Sequence, residues 1–410
     1  MKQILIQNIA ILVGREFKKL DSGSLLIEDG VIKHIGTEKL SKLGIPALNG
    51  KGLICIPGLI DAHIHIGDSI AKDIGVGKTL RELIHPLHGI KTQILVKEPP
   101  ENLREAISQT AQDMLSCGIT TFADFREGGI QGVETATAAL SKCKQRVLLL
   151  CRPNLAYSEN DVYRDREMPL SALEEASRAL NMSSGFGLSG ANEYTNSALK
   201  QIAQLAGEKR KLIAIHAAES TESVNFSNDT FHASEIERVL AQMVPNFLVH
   251  VTHPTSTDLR KISEHGVSIV CCPRANASLG VGTPPICKFL DFGIKVAIGT
   301  DNVMLNAPDM FRELDYTARM IKATTHNPAA ITSEQILSMA TSQAADILGL
   351  GSTIGTLEVG KKADILFLDL AAPNLCFSRD VVSSIVHRAR PNNIVCVMIE
   401  GEIVHGSLEN

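Results

Sequence analysis

Hydrophobic and polar positions follow one rhythm at the two ends of the chain and another in the middle. At both ends, short apolar runs are separated by turn-forming pairs. SLLIEDGVIKHIG carries Asp29-Gly30 between two apolar stretches, and NNIVCVMIEGEIVHG repeats the design around Glu400-Gly401. Such pairs tolerate positive φ at both central positions, the type I′ geometry that joins two antiparallel strands. ADILFLDL, just upstream of the second pair, reads as one more strand. The pattern predicts a small β-sandwich built from both termini, residues 1–56 and 354–410.

Residues 57–353 read differently. Eight apolar runs recur at the spacing of βα units: GLIDAHIHI, GITTFADF, RVLLLCRP, SGFGLSG, KLIAIHAAE, NFLVHVTH, VSIVCCP and KVAIGTD. Helical or loop segments separate them. Ser256 is placed to cap a helix running to Gly266, and Thr332 with Gln335 forms a capping box before ILSMATSQAADIL, which stops at Gly349. Eight βα units predict a closed (β/α)₈ TIM barrel, so the fold class is α/β. One connection is long, from Gly67 to Pro100 after the first strand, where such barrels keep a lid.

Composition narrows the partners. A formal charge of −5 with no run of five or more like charges argues against nucleic acid and membrane surfaces. No apolar run reaches the ~18 residues needed to span a bilayer, and the N-terminal stretch reads as a strand, not a signal peptide. The expectation is a cytoplasmic enzyme acting on a small molecule, with homo-oligomerisation left open. None of the nine cysteines forms a CxxC pair. Cys271-Cys272, in the apolar run SIVCCP, read as buried small hydrophobes.

The chemistry lies at the strand ends. A strand alternates faces with period 2, so His63 and His65 share one face while Ile64 and Ile66 take the other. Incidental imidazoles in a barrel interior would be costly, whereas a pair at a strand end can hold a metal. His216 ends the fifth run. Asp301 ends the eighth, where Ala297 and Gly299 share its face and are expected to leave room for an ion. Three imidazoles and one carboxylate make an open, catalytic metal site. Glu219, three residues past His216, can reach a metal-bound water as a general acid and base without ligating. His250 lies within the apolar run LVHVTH and is expected to face the barrel mouth; His253, before Pro254, falls in the loop.

In this order, PGLIDAHIH, HAAE, LVHVTH, IGTDN and GTLEVGKKADILFLD resemble the amidohydrolase superfamily, in particular its cytosine deaminase, chlorohydrolase and adenosyl-homocysteine deaminase branch. The resemblance spans essentially the whole chain, including the composite β-sandwich. It implies that His63, His65, His216 and Asp301 hold one Zn²⁺ or Fe²⁺, that Glu219 shuttles protons, and that His250 orients the water. Relatives with two metals carry a carboxylated lysine at the end of strand four; GFGLSGANEY has none, which favours one metal and deaminase chemistry.

A departure concerns strand seven. Many relatives have histidine–asparagine–proline there, and this chain has CCPRANASLG. Arg274 therefore stands near the mouth, either in an ion pair or gripping substrate. Asn192, Glu193 and Asn154 are further candidates for substrate contacts. The resulting reading is a hydrolase of carbon–nitrogen bonds other than peptide bonds. It deaminates a purine, pyrimidine, pterin or nucleoside by metal-hydroxide attack with release of ammonia. The alternatives are an imidazolone-type cyclic-amide hydrolase on the same site and a non-catalytic assembly protein.

Overall fold

The structure, a computed structural model, describes residues 3–38, 40, 45–85, 88–155 and 157–408. The chain begins with β1 (Gln3–Val13), β2 (Lys18–Glu28), β3 (Val31–Gly36), β4 (Ala47–Asn49) and β5 (Leu53–Pro57). It then runs through β6 (Leu59–His65), β7 (Ile119–Arg126), β8 (Arg146–Cys151), β9 (Gly185–Gly190), β10 (Leu212–Ala217), β11 (Phe247–His250), β12 (Ser268–Cys271), β13 (Val296–Ile298) and β14 (Asp301–Asn302). β15 (Ile365–Asp369), β16 (Ile394–Ile399) and β17 (Glu402–Gly406) return to the first sheet.

That sheet has the order β17-β16-β15-β5-β1-β2-β3, with β4 beside β1, so the two chain ends meet at the antiparallel β15–β5 pair. Both expected turns form. Asp29 and Gly30 have φ of 46° and 78°, and Glu400 and Gly401 have 47° and 74°. Ile6, Ile11, Leu25, Ile27, Phe367 and Met398 pack into a core of their own.

The second sheet is parallel throughout and follows the order β13-β12-β11-β10-β9-β8-β7-β6-β14. β13 and β14 are two halves of the eighth strand. The first pairs with β12 and the second with β6, which closes the barrel. Every residue of β6 is buried, as expected of a strand covered on both faces. Ile60, Ala62, Ala123, Leu150, Phe247 and Val270 fill the interior, while Ile64, Phe122, Leu188 and Ile215 face the helices outside. Adjacent Cys271 and Cys272 divide between these two layers, and all nine cysteines are free.

Two helix ends differ from expectation. Thr255, not Ser256, caps Ser256–Glu264, because its hydroxyl accepts the Asp258 N–H in a capping box. The helix after Thr332 breaks into Ser333–Met339 and Ser342–Ile347, since the Ala340 carbonyl is taken by the Ile60 N–H of β6. The long connection after β6 contains the 3₁₀ turn Ile66–Ala71 and the helices Leu80–Ile84 and Ile90–Lys97. No helix among the described residues is long and apolar enough to cross a membrane.

Candidate metal centre and active site

At the C-terminal mouth of the barrel, β6, β10, β11 and β14 bring five groups around one point. His63 Nε2 lies 3.2 Å from Asp301 Oδ1 and 3.3 Å from His216 Nε2. His65 Nε2 lies 3.4 Å from His216 Nε2 and 3.6 Å from Asp301 Oδ1. The ligand atoms of His63, His216, His250 and Asp301 all fall within 4.8 Å of one another. Phe125 of β7 forms the floor, its ring 4.2 Å from that of His63. Gly299 has a purpose other than room for an ion: a Cβ there would lie 2.6 Å from the His63 carbonyl, so the glycine lets the eighth strand approach β6.

The donor set fits a cation. A carbonyl can only accept, so His216 Nδ1, 2.7 Å from Leu188 O, carries the proton and Nε2 presents a lone pair. His65 Nδ1 likewise faces Phe125 O and Glu127 Oε1, at 3.2 and 2.9 Å. Two lone pairs thus point at each other across 3.4 Å, an arrangement that a positive ion between them relieves. Burial holds His63 down at about 3 and His216 well below the ordinary imidazole range, so both stay neutral and able to ligate. Although burial opposes it, Asp301 is held well below the usual carboxylate range by its contact with His63 and by the neighbouring imidazoles.

Glu219 stands beside this point, 7% exposed, with Oε1 3.5 Å from His250 Nε2. Burial pushes its carboxyl up to about 7. The backbone is left-handed just before it, at Ala218 (φ 51°), and again at His250 (φ 70°) and Asp301 (φ 63°). Left-handed residues at three strand ends therefore help to aim Glu219, His250 and Asp301, and strained backbone tends to be kept at functional sites. His250 Nδ1 is 3.2 Å from Asn276 Oδ1, and the Asn276 amide nitrogen is in turn taken by Thr252.

Comparison with known proteins agrees with this arrangement. The amidohydrolase family matches residues 54–404. The chain belongs to that family. A Methanothermobacter thermautotrophicus protein named "Putative aminohydrolase" is 35% identical over 407 residues, covering 98% of this chain and 100% of the relative. A 5-methylthioadenosine/S-adenosylhomocysteine deaminase of Acetivibrio thermocellus is 29% identical, over 98% of this chain and 93% of the relative. In fold, the chain resembles a zinc-bound adenosine deaminase of Xanthomonas campestris, with TM-score 0.85 at 21% identity over 98% of this chain and 92% of that one.

The amidohydrolase holds a cavity of about 530 Å³ at this mouth, reaching from His65, His216 and Asp301 out to Ile84, Leu103 and Leu155. Asn154 lines it. Arg274 does not: its guanidinium donates to Ala307 O and lies 3.5 Å from Glu313 Oε2, and its backbone N–H donates to Glu313. Asn192 and Glu193 line a smaller cavity of about 100 Å³ behind Glu219. The Asn192 amide is occupied by Ser223 O and Arg238. His253 Nε2 donates to Val281 O at 2.5 Å. Residues that the sequence reading passed over include Lys91, Arg126, Glu127 and Arg152 in the main cavity wall and Glu235 in the smaller one.

Glu235 opens the helix Glu235–Gln242 and is 2% exposed. Its Oε2 accepts from Ala218 N at 2.8 Å and Ser223 Oγ at 2.9 Å, so it braces the turn that carries Glu219. Burial pushes its carboxyl up to about 7. In the unfolded chain a glutamate ionises near ~4.3, so the folded protein binds more protons between those values and loses stability as pH rises through them. Glu235→Gln removes that titration. Between about pH 5 and about pH 8, the stability of the variant relative to wild type should improve by about 2–3 kcal/mol, read from chemical denaturation. A difference that does not move with pH would mean that Glu235 is ionised in the fold.

Proposed function

We propose that this amidohydrolase deaminates an amino-substituted purine nucleoside, exchanging the ring amine for a carbonyl oxygen and releasing ammonia. The observation that carries this reading is the convergence of the Nε2 atoms of His63, His65 and His216 with Asp301 beside a buried carboxyl, Glu219, that burial pushes up to about 7. In this reading His63, His65, His216 and Asp301 would hold one divalent metal. Bound there, it supplies a water acidic enough to attack near neutral pH.

The remaining steps belong to the chain's own residues. His250, on the Glu219 side of the cluster, orients the attacking water. Asp301 takes a proton from the water as its oxygen bonds to the amine-bearing ring carbon. Glu219 delivers its proton to the adjacent ring nitrogen, takes up the hydroxyl proton of the resulting addition intermediate and passes that proton to the amine; the proton held by Asp301 then returns to Glu219. The carbon–nitrogen bond breaks, its electron pair leaves with ammonia, and the ring carbon becomes a carbonyl. One water is consumed for each ammonia released.

A nucleoside is supported by the relatives, which include enzymes named for 5-methylthioadenosine/S-adenosylhomocysteine and for 5'-deoxyadenosine. It is also supported by the cavity, whose 530 Å³ lies in the ~300–1,000 Å³ range of sites that enclose whole small molecules. Ile84, Leu95, Leu103 and Leu155 give its outer wall an apolar face for a 5′ substituent, and Arg152 adds a cation. Zinc-loaded protein should release ammonia from adenosine-type nucleosides in a panel that also holds aminopyrimidines, pterins and cyclic amides. Ring opening of a cyclic amide, with no ammonia from any nucleoside, would replace this reading with the cyclic-amide hydrolase.

A further inference from the structure

Behind His65 lies a group of buried charges for which the mechanism above has no use. Lys91 is 6% exposed, and its Nζ lies 2.6 Å from Glu127 Oε1 and 3.2 Å from Asp68 Oδ2. The same oxygen of Glu127 lies 2.9 Å from His65 Nδ1. Arg126 holds the other Glu127 oxygen and lies 3.5 Å from Asp124 Oδ2. Asp68 is fixed at 2.8 Å by Nδ2 of Asn302, the residue after Asp301, and at 3.0 Å by Met304 N.

The source of the lysine is informative. Lys91 belongs to the helix Ile90–Lys97, part of the long connection that covers the cavity. A surface helix normally buries an apolar stripe and leaves its lysines in water. In this helix Lys91 is the buried residue, while Val96 is 79% exposed. Burying an ammonium group is costly unless it is paired, so ion pairs anchor the helix, whose apolar Ile90, Ile94 and Leu95 are only half-buried. Lys91 and Arg126 each pair with one oxygen of Glu127, so two cations face that carboxylate.

We propose that Lys91 is a positioning residue that docks the helix Ile90–Lys97 over the cavity by pairing with the same Glu127 oxygen that orients His65, so that one carboxylate serves both the cavity wall and the metal centre. The proposal rests on the assignment of His65 as a ligand made above. The two partners of that oxygen act with opposite sign on a bound cation. Glu127 strengthens His65 as a donor through the Nδ1–H, the carboxylate–histidine–metal relation whose loss costs ~10–100-fold in affinity. Lys91 places a positive charge on that carboxylate and opposes a second cation nearby.

The test measures zinc affinity by chelator competition and amide exchange of residues 90–97. Lys91→Met should speed exchange of that helix while leaving the barrel strands protected, and should tighten zinc by about tenfold. Glu127→Gln should weaken zinc by ~10–100-fold. Lys91→Arg should restore slow exchange. Where Met is not tolerated at this position, Lys91→Gln supplies the same two readouts. Unchanged exchange in the neutral variants would overturn the proposal. So would weaker zinc binding in both Lys91 and Glu127 variants, the outcome of a merely structural ion pair. Neither readout involves a substrate, so a lack of ammonia release would count against the functional reading alone.

Discussion

Glu219→Gln should keep its metal and lose nearly all turnover. The substitution preserves the shape of the side chain and the contact with His250 at 3.5 Å, but removes the ability to take up and release a proton. A positioned acid or base contributes ~10²–10⁴-fold, and in the proposed cycle this carboxyl serves two successive transfers. The fall in kcat should therefore lie at the upper end of that range, with KM little changed because the proposed nucleoside would be held by the outer cavity wall. The position of the group explains why so much depends on it. Burial holds its pKa at about 7, where it is available as both acid and base, and His250 is the basic side chain beside it. Turnover within about tenfold of wild type on a confirmed substrate would remove Glu219 from the mechanism. Loss of metal would place it among the ligands instead.

The parts of this site that could be read from the sequence are those governed by local periodicity. His63 and His65 are two apart on a strand, and their shared face follows from the pleat even though the β6–β7 ladder slips between Asp61 and Ile64. The eight barrel strands were legible as apolar runs because both of their faces are buried. Backbone reversals were not legible. Nothing in LVHVTH signals the left-handed conformation of His250 and Val251, or in IGTDN that of Asp301. Those residues are neither glycine nor part of a turn motif, and the surrounding barrel imposes their conformation.

Pairings distant in sequence were hidden for a different reason. Lys91 looks like a solvated lysine on a short helix until Glu127, far along the chain just past the end of β7, is placed beneath it. Arg274 shows the reverse. Its position after strand seven left an ion pair and a substrate grip equally open, and the helix Pro273–Leu279 turns its guanidinium towards Glu313, a fully buried carboxyl on the helix Met310–Thr325. Direction along a helix decides where a long side chain ends, and residue spacing alone does not give it.

His65→Ala and His250→Ala should separate in metal content, and the contrast decides between the two ligand sets that the geometry permits. Both imidazoles are within reach of the same point, and both have Nδ1 beside an acceptor, which leaves Nε2 free to ligate. They differ in what stands on the other side. His65 is backed by the ionised Glu127 and faces His216 and Asp301, the surroundings of a ligand. His250 is backed by the neutral amide of Asn276 and faces Glu219, the surroundings of a group that handles the attacking water. Wild-type protein should contain one zinc or iron per chain. Stripping it with a chelator should abolish turnover, and returning the metal should restore it. His216→Ala, which removes the imidazole lying 3.3 Å from His63 and 3.4 Å from His65, should lose metal and activity together. His65→Ala should follow His216→Ala. His250→Ala should retain close to one metal and lose turnover by ~10²-fold or more, as expected when an orienting group is removed and the cation stays. Each variant should still unfold cooperatively, because the barrel core lies beneath the site. If His250→Ala loses the metal and His65→Ala keeps it, the shell is His63, His216, His250 and Asp301, and the water-orienting role passes to another residue.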